Sequence, residues 1–248
     1  MRPAYLADRP HYPRLWQELP LGDCIRRETE QVLQQQCRQF FGYHMVMLGD
    51  LSCQLDLSQC SIKHKVTQTN KLADYGGLLS LSESLPYQKN SIDAFVLTHE
   101  LAFARDPHQI LREVNRAIIP NGHVIISGFN PFSLAGISRF LPLQRNQMLR
   151  QARFFSAGRI KDWLQLLGFE IVNDKRTVYD ALLFEGDTDS DSKLQRFKRQ
   201  YLEFSGSVYV ITAKKRESTL TMIKPKWRRS PKFSTVGASA QAWHRSKQ

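Results

Sequence analysis

Short apolar runs alternate along the chain with longer segments in which apolar residues recur every three or four positions, the pattern of strands and helices taken in turn. Asp23 stands as a helix cap before residues 24 to about 41, where Ile25, Val32, Leu33, Gln36 and Phe40 fall roughly along one face and Gly42 closes the segment. Strands are expected at 44–49, at 61–69 with Ile62 and Val66 apolar, and at 78–81. Residues 92–98 read as a fully buried strand. Asp106 and Pro107 then open a helix, the Asp as cap, the Pro at the first helical position, and Gln109 completing a capping-box-like pair. Its apolar face is Ile110, Leu111, Val114, Ala117 and Ile118. Pro120 stops it, Asn121-Gly122 makes a turn, and 124–129 is a further apolar strand.

A strand, a helix and a strand with short joints make a βαβ unit, which implies a parallel sheet covered on both faces. A second unit follows: Ser156 caps a helix with Ile160, Trp163, Leu164 and Leu167 on one face and Gly168 at its end. Extended segments come next at 170–172 continuing through 177–184, a charged connection at 185–198, and a last strand at 208–213. One polar connection between two terminal strands predicts an antiparallel pair at the sheet edge. The fold class is α/β, a Rossmann-like sheet, mostly parallel.

Composition narrows the class. At 248 residues the chain holds one ordinary domain with a sizeable core, or a core with appendages. Mean hydropathy is −0.41, and no apolar run nears the roughly 20 residues of a spanning helix. The N-terminus has no apolar stretch of the kind that export requires, so a cytoplasmic location is expected. Cys24, Cys37, Cys53 and Cys60 form no C-x-x-C pair and have no histidine at ligand spacing, so no metal site is expected and free thiols are. The net charge of +12 is uneven: residues 214–248 carry +9 and the first 213 only +3. The expected organisation is an N-terminal segment and helix (1–42), an α/β domain (43–213) with a lid or insertion at 130–158, and a basic tail (214–248).

Ser82-Glu83-Ser84-Leu85-Pro86-Tyr87, then Ser91-Ile92-Asp93-Ala94-Phe95-Val96, resembles the pattern E-x-L-P-F…S-F-D-x-V. It continues as His99-Glu100-Leu101, Asp106-Pro107, Leu111-Arg112-Glu113-Val114-Asn115-Arg116 and Pro120-Asn121-Gly122, in that order. Phe155-Ser156, Trp163-Leu164 and Leu167-Gly168-Phe169-Glu170 follow. Together, over about residues 40–215, these are similar to the type 11 branch of the class I methyltransferases. The resemblance implies S-adenosyl-L-methionine as cofactor, bound outside the carboxyl ends of the strands. It also implies methyl transfer to an acceptor that no residue identifies, by a chain expected to be a monomer.

Carried over residue by residue, the resemblance places Gly49, Asp50, Ser52, Asn70, Ser82, Glu83 and Thr98 around the cofactor. His99, at the mouth of the fourth strand, is the candidate general base, with a pKa expected near neutrality. Glu100 could serve instead or lie on the solvated side. Asn130 is a candidate substrate contact or an ordinary turn opener. Several positions depart from the family pattern. Leu51 and Cys53 stand where glycines usually follow Gly49, and side chains there would crowd the ligand unless the loop takes a different path. The second strand ends without an acid, Asn70 being the substitute, and Leu81 stands where an Asp usually precedes the E-x-L-P-F run. Two readings follow: an enzyme that holds its cofactor through backbone contacts with Tyr12 and Trp16 closing over the crevice, or a pseudo-methyltransferase whose sheet is a scaffold. The basic tail, with Trp227 among its cations, adds a third, nucleic-acid binding.

Overall fold

The apolar runs become strands β1 (His44–Leu48), β2 (His64–Thr69), β3 (Leu78–Leu79), β4 (Ile92–Thr98), β5 (Ile118–Phe129), β6 (Phe169–Thr177) and β7 (Val208–Lys215). The helices are α1 (Gly22–Cys37), α2 (Asp50–Cys53), α3 (Glu100–Phe103), α4 (Pro107–Ala117), α5 (Gln147–Gln151) and α6 (Ala157–Leu166), with a 3-10 turn at Trp16–Glu18. The structure is a computed structural model that describes residues 11–71, 77–133, 147–178 and 206–216. Residues 134–146 of the expected lid, the extended segment expected at 179–184 and nearly all of the basic tail lie outside that range.

One sheet runs β3-β2-β1-β4-β5-β7-β6. All pairings from β3 to β5 are parallel, while β7 lies antiparallel to both β5 and β6. The expected antiparallel edge pair is present, with β7 inserted between β5 and the edge strand β6. Side chains along a strand alternate between faces, and β1 shows this directly. Met45 and Met47 join one core with Ile25 and Leu33 of α1, whereas Val46 and Leu48 join the other with Ile110, Leu111 and Val114 of α4. The Asp93 carboxylate accepts from the backbone NH groups of Tyr43 (2.9 Å) and His44 (2.8 Å), which ties the start of β1 to β4.

Three local expectations are corrected. Helix α1 is capped not by Asp23 but by the backbone of Leu21, which has a φ of +53°, and the Asp23 carboxylate accepts from the Gln17 amide at 2.9 Å instead. At α4, Asp106 caps as expected, accepting from His108 and Gln109 NH at 3.0 and 3.1 Å. Gln109 does not reach back to it. Its amide points to the Glu83 carbonyl at 3.4 Å. Finally, α4 ends at Ala117, before Pro120, and β5 begins at once: Ile118 pairs with Ile92, and the register then shifts so that His123 pairs with Ala94. The Asn121-Gly122 turn is absorbed into this bulge, Asn121 taking a φ of +65°. No helix among the described residues is long and apolar enough to cross a membrane.

Candidate functional site

The carboxyl ends of β1, β2 and β4 meet the N-terminal segment around a cavity of 320 Å³ lined by Tyr12, Asn70, Ser82, Glu83, Glu100 and Arg105, among others. In an open parallel sheet this is the crevice where ligands bind, and the volume lies at the lower end of the range for small-molecule pockets.

Gly49 leaves β1 with a φ of +90°, its NH donating to the Gln68 carbonyl at 2.8 Å. The chain enters α2 at the next residue, and this early helical turn disposes of the crowding expected from Leu51 and Cys53. Leu51 is fully buried in the α1-side core, and its carbonyl accepts from the Trp16 indole at 3.1 Å. The Cys53 thiol turns back to the Met47 carbonyl at 3.3 Å. Neither side chain lines the cavity. The face of Gly49 where a Cβ would stand is filled by the Tyr12 hydroxyl and Glu100 Oε2, so no larger residue fits there.

Glu100 is 2% exposed at the first turn of α3. The Ser82 hydroxyl donates to its Oε1 at 2.6 Å. Oε2 and the Tyr12 hydroxyl lie side by side over Gly49 in poor hydrogen-bond alignment, and each is buried without a good partner. Burial pushes the Glu100 carboxyl above the usual carboxylate range, against the hydrogen bonds from Ser82 and Tyr12 and with the charges of Asp50 and Glu83. Asp50 is raised by burial too, opposed by Arg14 and Lys71. The same burial, with Glu100 beside it, holds Tyr12 in its neutral form.

Of the other predicted site residues, Asn70, Ser82 and Glu83 line the cavity. The Ser82 NH, expected to meet the ligand, is already taken: the Asn70 side-chain oxygen accepts it at 3.0 Å. Ser52 and Thr98 are bound to each other, the Ser52 hydroxyl accepting from the Thr98 NH at 2.8 Å, and neither lines the cavity. Asn130 spends its amide on its own turn, donating to the Gly206 carbonyl (3.0 Å) and accepting from Phe132 NH (3.1 Å).

The neutral-range pKa expected of His99 is not what its surroundings give. The ring is fully buried, stacked on Phe129 (centroids 4.2 Å) and edge-on to Trp16 (5.9 Å), and neither nitrogen has a hydrogen-bond partner. Desolvation lowers its pKa to about 3. It is a neutral member of an aromatic wall that continues through Phe103 and Phe154.

Sequence reasoning did not find Lys71, Arg105 or Phe103 in the cavity lining. No spacing signals them. They arrive on the ends of separate elements.

The run from Leu85 to Arg116 earns its regularity structurally. Glu113 accepts from Leu85 NH at 3.0 Å, and Arg116 donates to the Leu85 and Tyr87 carbonyls at 2.9 and 2.8 Å while pairing with Glu113. One ion pair on α4 thus clamps the Leu-Pro turn that leads into β4. It fixes where Ser82 and Glu83 enter the cavity, and touches no ligand itself.

This strand order, with a crevice over Gly49 at the end of β1, defines a class I methyltransferase fold. The methyltransferase domain profile matches residues 43–126. YafS of Escherichia coli K12, an uncharacterized protein, is 32% identical over 179 residues, which span 71% of this chain and 73% of YafS. A solved S-adenosylmethionine-dependent methyltransferase of Thermotoga maritima superposes with a TM-score of 0.54 at 18% identity, over 77% of this chain and 91% of that one. One from Archaeoglobus fulgidus gives 0.52 at 16% identity, over 79% and 98%. The chain belongs to the methyltransferase-domain family, whose cofactor is S-adenosyl-L-methionine.

The residues present fit that cofactor. Gly49 keeps its backbone open toward the cavity, the Leu51 and Cys53 side chains are turned away from it, and two buried polar atoms, Tyr12 OH and Glu100 Oε2, lack partners at the place a ligand would pass.

Proposed function

We propose that the chain transfers a methyl group from S-adenosylmethionine, held in the cavity between Gly49, Asn70, Glu83 and Glu100, to an acceptor presented beside the N-terminal segment. The observation that carries this reading is the unpartnered pair of polar atoms over Gly49: buried donors and acceptors ordinarily find partners, and a site that leaves two adjacent ones unmet is built for a guest. When bound, the cofactor supplies a methyl group already activated on a sulfonium. The chain's own contribution is positioning and exclusion of water.

Trp16 closes one side, its indole fixed to the Leu51 carbonyl, and the ring wall of His99, Phe129 and Phe103 keeps that side dry. The Asn70 oxygen is occupied by Ser82, which leaves the Asn70 side-chain NH₂ to face a ribose and the Glu83 carboxylate to accept from a base or sugar hydroxyl. His99, buried and neutral, shapes the site rather than moving a proton. Glu100 is the titratable group that reaches the cavity, and the general base is assigned to it in place of His99. Localisation in the cytoplasm goes with this reading. Crystals grown with S-adenosylhomocysteine test it: density in contact with Asn70 and Glu83 is expected, and an empty cavity at saturating ligand contradicts it.

A further inference from the structure

The polar atoms around Gly49 are unbalanced in charge. Glu100 Oε2 reaches the cavity without a partner, Asp50 stands at the first turn of α2, and Glu83 lines the wall. The cations nearby, Lys71 and Arg105, are both less buried than Glu100. The innermost charge of the pocket is therefore a carboxyl, in a low-dielectric setting where one full charge decides more than it would in water. It has one firm hydrogen bond, from Ser82, which leaves its second oxygen directed at whatever lies over Gly49.

We propose that Glu100 makes this pocket a reader of ligand charge, favouring the sulfonium donor over the thioether product, which carries one positive charge less. The inference rests on the proposed cofactor site. Its physical basis is that a buried carboxylate with an unmet oxygen gains a counter-charge from the donor and none from the product. Loss of the methyl group then weakens the ligand's hold, and the product leaves without a separate opening step. Tyr12 supports this by remaining a neutral donor beside the carboxyl, able to turn its hydroxyl toward Glu100 once ligand has gone.

Titration calorimetry with S-adenosylmethionine and S-adenosylhomocysteine, on wild type and Glu100→Gln, tests it. Glutamine keeps the size and can still accept from Ser82, and a thermal melt verifies that the variant is folded. The expected result is that the ratio of donor to product affinity falls by about tenfold in Glu100→Gln, mostly through weaker donor binding, as the loss of a charge-assisted contact implies. A ratio unchanged in a folded variant that binds both ligands overturns the inference and leaves the cofactor site standing. Failure of wild type to bind either ligand overturns both. Should the variant not fold, sinefungin, which carries an amine in place of the sulfur, replaces it as the probe: wild type should bind it more tightly than the thioether, and equal affinities overturn the inference.

Discussion

The indole NH of Trp16 donates to the carbonyl of Leu51 across 3.1 Å of fully buried space, joining the N-terminal segment to the loop that leaves the first strand. Because this loop carries Gly49, the segment before α1 is part of the crevice wall, and Tyr12 is delivered to Gly49 by the same attachment. Trp16→Phe should keep most of the packing and lose the hydrogen bond, costing about 1 kcal/mol. Trp16→Ala should cost about 3–5 kcal/mol, the range for deleting a large buried aromatic. Urea unfolding of the two variants separates the contributions.

Gly49→Ala places a methyl group against the Tyr12 hydroxyl and Glu100 Oε2 in a backbone of φ +90° that side chains rarely adopt. A loss of about 1–3 kcal/mol of stability is expected from the strained backbone, together with loss of cofactor binding. Thermal melts with and without S-adenosylmethionine should show a lower midpoint and no ligand-induced rise.

His99 gives the protein a pH dependence of definite sign. Its folded pKa of about 3 lies below the unfolded value near 6.5, so between these limits the unfolded chain binds more protons and stability falls as pH falls. The contribution is complete above the unfolded pKa. It declines below it by up to about 1.4 kcal/mol per pH unit. His99→Phe should flatten the part of the profile between pH 6 and pH 4, measured by denaturant unfolding at each pH, while keeping the stack on Phe129. Glu100 acts oppositely. Its raised pKa costs stability as pH rises above the ordinary carboxylate range, and Glu100→Gln should remove that loss.

Asp106 accepts from two NH groups at the start of α4, the helix whose Glu113 and Arg116 clamp the Leu-Pro turn. Asp106→Ala should cost about 1 kcal/mol. Arg116→Ala should reach further, loosening the turn that sets Ser82 and Glu83. Reduced cofactor affinity without any direct contact is the expected mark of that coupling, readable by titration.

The strands and the sheet order were legible because buried parallel strands are near-continuous apolar runs, as Ile92–Thr98 is, and because the Asp106-Pro107 cap is a local signal. The site was legible only as a neighbourhood. Asn70, Ser82 and Glu83 reach the cavity, but Ser52, Thr98 and Asn130 are consumed by partners distant in sequence: Thr98 NH, Ser52 Oγ and the Gly206 carbonyl. Nothing in the spacing of residues announces such pairings. His99 illustrates the limit most clearly. A histidine at a strand mouth suggests a base, and only the rings of Trp16 and Phe129, brought from far apart in the chain, make it a neutral packing residue. Leu51 and Cys53 err in the other direction: they look like obstructions until the helical turn after Gly49 carries them into the core.

The central claim is that the crevice over Gly49 holds S-adenosylmethionine despite the altered loop. Titration calorimetry of the full-length wild-type protein, taken to millimolar ligand, measures this most directly. Saturable binding at a single site, abolished by Gly49→Ala, is the predicted result. No detectable heat together with no thermal stabilisation at that concentration would contradict it and leave the sheet as a scaffold.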